Sequence, residues 1–212
     1  MFAKVDDIDF FAVKGYNLFQ RGQIVNNCNS QTFSTTVFVH KFPYKSGETR
    51  MQLHQRQKQY AKRLLDFATQ KVWGKSLKDV CFETLPDGKP VCRCGYISLS
   101  HSANCVAVAL SDKPVGVDVQ ICTNVQTLKI VEKFFTKNEL RQLQSGENFF
   151  AIWCRKEALW KSMVNQPTSF LQVDTSCRQF TEMQDGNFFF AVTDKNAVFV
   201  TVEALPLTAY AQ

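Results

Sequence analysis

Apolar residues recur along this chain at two different spacings, and each change of spacing marks a change of element. Phe33 to Phe42 alternates, with Phe33, Val37 and Val39 apolar, and predicts a strand closed by a turn at Pro43 to Gly47. From Thr49 to Thr69 the spacing becomes helical: Leu53, Tyr60, Leu64 and Phe67 form one stripe, widened by Ala61 and Ala68. Arg56 and Arg63 border that stripe, while Lys58 and Lys62 lie further out on a solvated face. Pro86-Asp87-Gly88-Lys89-Pro90 reads as a turn. Tyr96 to Ser100 alternates again, with Ile97 and Leu99 on one side and Ser98 and Ser100 on the other, and ends at His101-Ser102. Asn104 to Leu110 and Val115 to Gln120 predict two strands joined as a hairpin through Ser111-Asp112-Lys113-Pro114. The residues before Phe33 carry no pattern of this kind.

Leu128 to Phe135 predicts a short helix, and Thr136-Lys137-Asn138-Glu139 has the form of a capping box that starts another. Gly146 separates it from a helix over Asn148 to Val164, which contains neither Gly nor Pro and stops at Asn165 to Pro167. The remaining apolar runs, Phe170 to Val173, Phe188 to Val192 and Val198 to Ala204, predict strands. Asp185-Gly186-Asn187 and Asp194-Lys195-Asn196 supply turns between them.

Two carboxylates fall where the pattern makes them costly. At about 100° per residue, Phe149, Phe150, Trp160 and Val164 all lie within about 60° of Trp153 on the helix over 148–164. Glu157 lies inside that arc, at about 40°, and Lys161 at its edge, at about 80°. A carboxylate on such a face needs a cation, a metal or hydrogen-bond donors; the alternative is an ordinary solvated Glu–Lys pair four residues apart. On the strand over 115–120, Val115, Val117 and Val119 share one face, and Gly116, Asp118 and Gln120 share the other. Asp is unusual within a strand, and Gly beside it permits a close approach to the backbone; the alternative is a face that is simply wet.

Length and composition narrow the class. The 212 residues allow one large domain or two small ones with a sizeable core, and the 19 phenylalanines argue for aromatic clusters within it. The net charge of +6 suits an anionic partner. A nucleic-acid partner is not expected, since the chain has no helix-turn-helix, zinc-finger or stacking motif. No long uncharged apolar run predicts a membrane span, and Asp6, Asp7 and Asp9 stand where a signal peptide would need cations, so a cytoplasmic protein is expected. The eight cysteines, at 28, 81, 92, 94, 105, 122, 154 and 177, form no CxxC pair and have no His at ligand spacing, which favours reduced thiols over a zinc site.

Taken in order, Gly88-Lys89-Pro90, Ser98-Leu99-Ser100-His101-Ser102, Gly116-Val117-Asp118-Val119, Phe134-Phe135-Thr136-Lys137-Asn138-Glu139 and Trp153-Cys154-Arg155-Lys156-Glu157-Ala158-x-x-Lys161 resemble the 4′-phosphopantetheinyl transferases of the Sfp (surfactin-synthetase-activating) type, in the branch with the signature W-x-x-K-E-A-x-x-K. The matching segments run in the family's order from about residue 50 to 175. The resemblance implies an α+β fold of two similar halves, here 1–111 and 112–212, in a pseudo-dimeric arrangement with the active site in the cleft between them. It implies a monomer, since one chain supplies both halves. It also implies transfer of phosphopantetheine from coenzyme A to a serine of an apo acyl or peptidyl carrier protein, an acidic and transient partner. Mg²⁺ is the implied cofactor, and 3′,5′-adenosine bisphosphate the implied by-product.

By the same resemblance Asp118 and Glu157 match metal ligands, Glu157 also matches the base for the serine proton, and Lys161 matches a lysine that pairs with the phosphates. Lys89, Ser100 and His101 match positions that contact coenzyme A phosphates. Arg63, with Arg56 as a second candidate, would meet the 3′-phosphate, while Trp153 is read as packing. The chain departs from the family at Gln120, where many members carry a third acid, and at Met163 to Ser169, where a Gly-x-Gly-Leu is common. Gln120 could still coordinate the metal through its amide. It also leaves open a catalytically impaired module that binds coenzyme A or a carrier. A metal-dependent phosphodiesterase would use the same carboxylates without any carrier.

Overall fold

The computed structural model describes residues 34–80, 82–84, 90–92, 94–123, 127–163, 167 and 169–205. Lys89 and most of the expected turn before Pro90 lie outside the described residues, as does Val164. The described chain is a mixed α+β structure with two sheets. The first runs in the order β2 (Phe82–Thr84), β3 (Pro90–Cys92), β4 (Gly95–Ser102), β5 (Cys105–Ser111), β1 (Thr36–Lys41) and β9 (Val198–Thr201). The second contains β6 (Val117–Ile121), β8 (Phe188–Val192) and β7 (Thr181–Asp185). β9 lies parallel to β1, so the end of the described chain returns to the first sheet across the expected division near residue 111.

Side-chain size sorts the strands into layers. On β5, Val106, Val108 and Leu110 face the core under α1 (Arg50–Trp73), together with Phe38, Phe42, Leu64 and Ala68. The smaller Cys105, Ala107 and Ala109 face the second sheet, where Val117, Val119, Phe188, Phe190 and Val192 fill the space between sheets. The far face of β8, with Phe189 and Ala191, carries α4 (Phe149–Ser162) through Ala151, Cys154 and Ala158. The order of layers is therefore α1, first sheet, second sheet, α4.

α1 begins as a capping box should: Thr49 accepts from Gln52 N, and the Gln52 side chain accepts from Thr49 N at 2.8 Å. It continues past Thr69 to Trp73 because the first residue able to leave the helix in the left-handed region is Gly74, at φ 63°. α2 (Leu128–Phe134) and α3 (Lys137–Gln144) form as expected, and Thr136 and Glu139 make the predicted box.

Two expectations are corrected, and one strand had not been predicted. β5 and β6 do not form a hairpin, because both edges of β5 are taken by β4 and β1 while β6 pairs with β8. The chain from Ser111 to Gly116 instead crosses between sheets. A buried polar cluster holds it there: Thr35 Oγ1 lies 2.9 Å from Ser111 Oγ and donates to Asp194 at 2.6 Å, and Lys113 pairs with Asp194 at 3.0 Å. Phe170 to Gln172 is a 3₁₀ turn rather than a strand, which lets Phe170 meet Phe134, Trp153 and Trp160. β7 gave no signal in the pattern because Thr181-Glu182-Met183-Gln184-Asp185 is a polar edge strand.

α4 also sits differently from its apolar arc. Trp153 and Trp160 are only half-buried, whereas the small residues Ala151, Cys154 and Ala158 are fully buried. Trp153 packs as expected, in an aromatic cluster with Phe134, Phe135, Phe149 and Phe170. On the side of α3, Lys156 is 0% exposed and donates to Glu139 Oε2 at 2.8 Å and to the Val173 carbonyl. Glu139, equally buried, accepts in addition from Thr136 N at 2.8 Å, Thr175 N at 3.2 Å and Thr175 Oγ1 at 3.0 Å. Every polar atom of the pair that needs a partner has one, which is the condition under which a buried ion pair is tolerated. Lys156→Ala strands the Glu139 charge, and urea unfolding should show a loss of about 3–5 kcal/mol; a change below about 1 kcal/mol would mean the pair carries little of the α3–α4 packing.

Candidate active site

Asp118 comes from the middle of β6, on the face turned toward α4, and is 1% exposed. It can meet the helix because of the residue two places before it. A Cβ built on Gly116 would lie 1.8 Å from the carbonyl oxygen of Ala158 and 2.8 Å from Ser162 N, so only glycine lets the α4 backbone lie this close to β6. Glu157 and Lys161 flank Ala158 and are carried to Asp118 by that contact.

The polar centre is a small network. Lys161 Nζ lies 2.6 Å from Asp118 Oδ1 and 3.1 Å from Ser100 Oγ, and it donates to the Val117 carbonyl at 3.3 Å. Ser100 Oγ donates to the same Asp118 oxygen at 2.7 Å. Gln120 Nε2 donates to Asp118 Oδ2 at 3.1 Å, so its amide faces the carboxylate with nitrogen and its oxygen points elsewhere. Glu157 has no hydrogen bond or ion pair among the described residues.

Burial and then the Asp118 charge push the Glu157 carboxyl up to about 7, against the opposing pull of Lys161. Burial would lower Lys161, but Asp118 and Glu157 outweigh it and hold the ammonium above its usual range. His101 is held down at about 4 by burial, by Lys161 and by His54, whose ring lies 5.6 Å away, so it is a neutral imidazole at pH 7. The site thus contains two acids and one firmly protonated lysine, and one of the acids has no donor. Among the described residues no group of three or more His, Cys, Asp or Glu comes together to hold a metal ion. Any cation here would rest on Asp118 and Glu157, with Gln120 as the neutral neighbour.

The structure therefore brings together Asp118, Gln120, Ser100 and Lys161 by direct bonds, while Glu157 and His101 lie close enough to feel the charges of Asp118 and Lys161. Arg56 is elsewhere, bound to both oxygens of Glu48 at 3.0 and 2.9 Å and to the Pro43 carbonyl at 2.5 Å. Arg63 donates to the Leu205 carbonyl at 2.8 Å and lies over the Tyr60 ring. Two neighbours were not read from the sequence. His54 gave no signal on a polar helix face, and Cys154 was read only as one of the reduced thiols. The Cys154 thiol is pushed well up by burial and by the Asp118 charge, which places it beside the acid.

Gly116→Ala should force α4 away from β6 and destabilise the chain by about 3 kcal/mol, measured by urea unfolding; an unchanged midpoint would show that the helix can shift freely. A second expectation concerns pH in the metal-free chain. Folded, Glu157 keeps its proton to about 7, whereas the ordinary value is 4.5, so the folded state binds the extra proton between these limits. Stability contributed at this site therefore falls as pH rises through that window. In melting curves with chelator present, the wild-type chain should lose stability relative to Glu157→Gln from pH 4.5 up to about 7; parallel curves would show that the carboxyl titrates normally.

Comparison with known proteins gives this geometry relatives. Residues 114–208 match the model of the 4′-phosphopantetheinyl transferase superfamily. The chain is 37% identical over 94 residues to the 4′-phosphopantetheinyl transferase psf-1 of Bacillus pumilus, covering 40% of each. It is 35% identical over 74 residues to the transferase gsp of Aneurinibacillus migulanus, covering 32% of this chain and 31% of that one. With Sfp of Bacillus subtilis the identity is 27% over 148 residues, covering 67% of this chain and 58% of the relative. The chain thus spans between about a third and three fifths of the length of these curated relatives. The matched segment contains β6 and α4 with Asp118, Glu157 and Lys161, and over it the chain is similar to the 4′-phosphopantetheinyl transferase superfamily and to relatives of the Sfp type.

Proposed function

We propose that this chain transfers the 4′-phosphopantetheine group of coenzyme A to a serine hydroxyl of an apo acyl or peptidyl carrier protein, releasing 3′,5′-adenosine bisphosphate. The observation that carries the reading is the convergence of Asp118 from β6 with Glu157 and Lys161 from α4, across the contact at Gly116. The donor set suits Mg²⁺. Carboxylate oxygens are the hard ligands it takes, and the site is short of positive charge, because Lys161 serves Asp118 while Glu157 has no donor of its own. Asp118 and Glu157 would hold the ion, with Gln120 contributing through its oxygen only after its amide turns over. When bound, Mg²⁺ would supply the charge that neutralises a diphosphate.

The residues of the chain do the rest. Glu157, whose carboxyl is lifted by burial and by Asp118, is placed to accept the proton of the attacking serine. Lys161 is firmly protonated and pairs with phosphate oxygens, steadying the one that departs. Ser100 and the neutral His101 offer hydrogen bonds along the approach to those phosphates. Arg63 is assigned to the 3′-phosphate, for which it would have to exchange its bond to Leu205. Arg56, bound to Glu48, is left out, and Lys89 keeps only its sequence match.

In this reading the chain is a pseudo-dimeric fold divided near residue 111, with β9 of the second half returned to the first sheet and the cleft at the seam of β4, β6 and α4. The chain acts as a cytoplasmic monomer, without nucleic acid or membrane, and its +6 charge steers an acidic carrier toward the cleft. Among the described residues no helix is long and apolar enough to cross a membrane. The Gln120 amide, turned nitrogen-first to Asp118, favours one competing reading, a module that binds coenzyme A or a carrier without transfer.

Incubation with coenzyme A, Mg²⁺ and a panel of apo carriers, followed by mass spectrometry, tests the proposal. Modification of a carrier serine is the expected result, and binding without modification would move the chain to the second reading. Asp118→Ala and Glu157→Gln should each lower transfer by on the order of a hundredfold or more, while Arg63→Ala should chiefly raise the KM for coenzyme A. Near-normal turnover of Glu157→Gln at saturating Mg²⁺ would remove that residue from the mechanism.

A further inference from the structure

The outer edge of β6 is closed in an unusual way. Its inner edge pairs with β8, which leaves the N–H groups of Val117, Val119 and Ile121 on the other side. These do not meet a backbone. Val117 N donates to Ser98 Oγ at 3.0 Å, Val119 N to Ser100 Oγ at 3.2 Å and Ile121 N to Ser102 Oγ at 3.0 Å. The backbone of β4 pairs within its own sheet, with β5 over Tyr96 to Ser102 and with β3 at Gly95 and Tyr96, and it is the side chains of β4 that bond across the layers. Alternation puts Ile97 and Leu99 in the core under α1 and turns the serines to the second sheet. Each serine stands 19 residues before its partner, so the two strands advance in step, residue pair by residue pair.

We infer that Ser98, Ser100 and Ser102 form a hydroxyl ladder that sets the register of β6 on β4, and that through it they are positioning residues for Asp118. This rests on the function proposed above only in naming what Asp118 is positioned for. A hydroxyl suits the task because it accepts one bond and still has a proton to give. Ser100 uses both capacities, accepting from Val119 N and donating to Asp118 Oδ1 at 2.7 Å. A strand slip of one residue would turn Asp118 from α4 into the apolar space between the sheets, and a slip of two would carry it past Lys161. Ser98 and Ser102 touch neither acid in the bonds described, so they act on Asp118 only through the strand.

The test uses the full chain with Ser98→Ala, Ser102→Ala and Ser98→Thr, which keeps the hydroxyl. Amide exchange by NMR reads the ladder, Mn²⁺ titration by electron paramagnetic resonance reads the acids, and carrier modification reads the reaction. Ser98→Ala should speed exchange of the Val117 amide about tenfold over any change in α1. It should also weaken Mn²⁺ binding several-fold, and Ser98→Thr should restore both. Ser102→Ala should do the same at Ile121. Equal acceleration at all amides, unchanged Mn²⁺ binding, or no rescue by threonine would overturn the inference. If wild type modifies no carrier while the exchange and Mn²⁺ effects appear, the ladder stands and the proposed reaction falls.

Discussion

The close seat of α4 on β6 is the constraint from which the rest of the site follows. It exists because residue 116 has no side chain: the Ala158 carbonyl occupies space that any Cβ would need. Helix and strand usually pack through side chains; here they pack nearly backbone to backbone, and the small Ala151, Cys154 and Ala158 extend the contact along the helix. The functional side chains on either side of Ala158 are thereby delivered to a strand residue that is itself buried. Lys161 reaches Asp118 at 2.6 Å with 20% of its side chain still accessible, so the pair is rigid yet within reach of a ligand.

Two lysines five residues apart on α4 show how environment separates structure from chemistry. Lys156 is sealed against Glu139, Val173 and the ring of Phe170, and all the groups it faces are satisfied. Nothing there can be exchanged without leaving a buried charge, so its role is to fix the helix against α3. Lys161 faces one acid directly and a second, Glu157, that has no other donor. That arrangement sets a second carboxyl beside an ion pair that is already neutral, so its ionisation is costly until a ligand or a cation completes the site. Identical side chains in one helix therefore serve opposite ends, and the number of satisfied partners tells them apart.

Much of this was legible in the residues. Asp118 and Glu157 stood out because each broke a local rule, an acid within a strand and an acid on an apolar helix face, and such breaks gather where function overrides propensity. The capping box at Thr136, the alternation of β4 and the apolar runs of β5 and β8 were equally plain. What could not be read was the meaning of a polar face once another layer covers it. Ser98 and Ser100 showed only as the polar side of an alternating strand, yet both are buried. The connection after β5 looked like a hairpin because its turn residues are right for one, and only sheet order shows that β5 had no edge to offer. The helical pattern alone did not show that Lys156 is sealed in the core, since Glu139 and Val173 each lie 17 residues away in sequence. Arg56 sits at the stripe boundary as expected, but Glu48, eight residues earlier, takes up its charge.

The Lys161–Asp118 bond is itself in competition with the chemistry proposed for the site. In the ligand-free chain the ammonium fills the need of Asp118 for a positive neighbour, and Ser100 orients both. A ligand that brings phosphates together with a divalent cation offers each partner something better: a stronger charge for the carboxylate, and anionic oxygens for the ammonium. The exchange costs little because Lys161 remains tied to Ser100 and Val117 while its carboxylate contact is released. A cation alone would leave the lysine without an anion, and phosphate alone would leave Asp118 and Glu157 facing more negative charge. Under the proposed function, the site as built would favour the two arriving together, and this coupling would select a metal-complexed diphosphate over either component by itself.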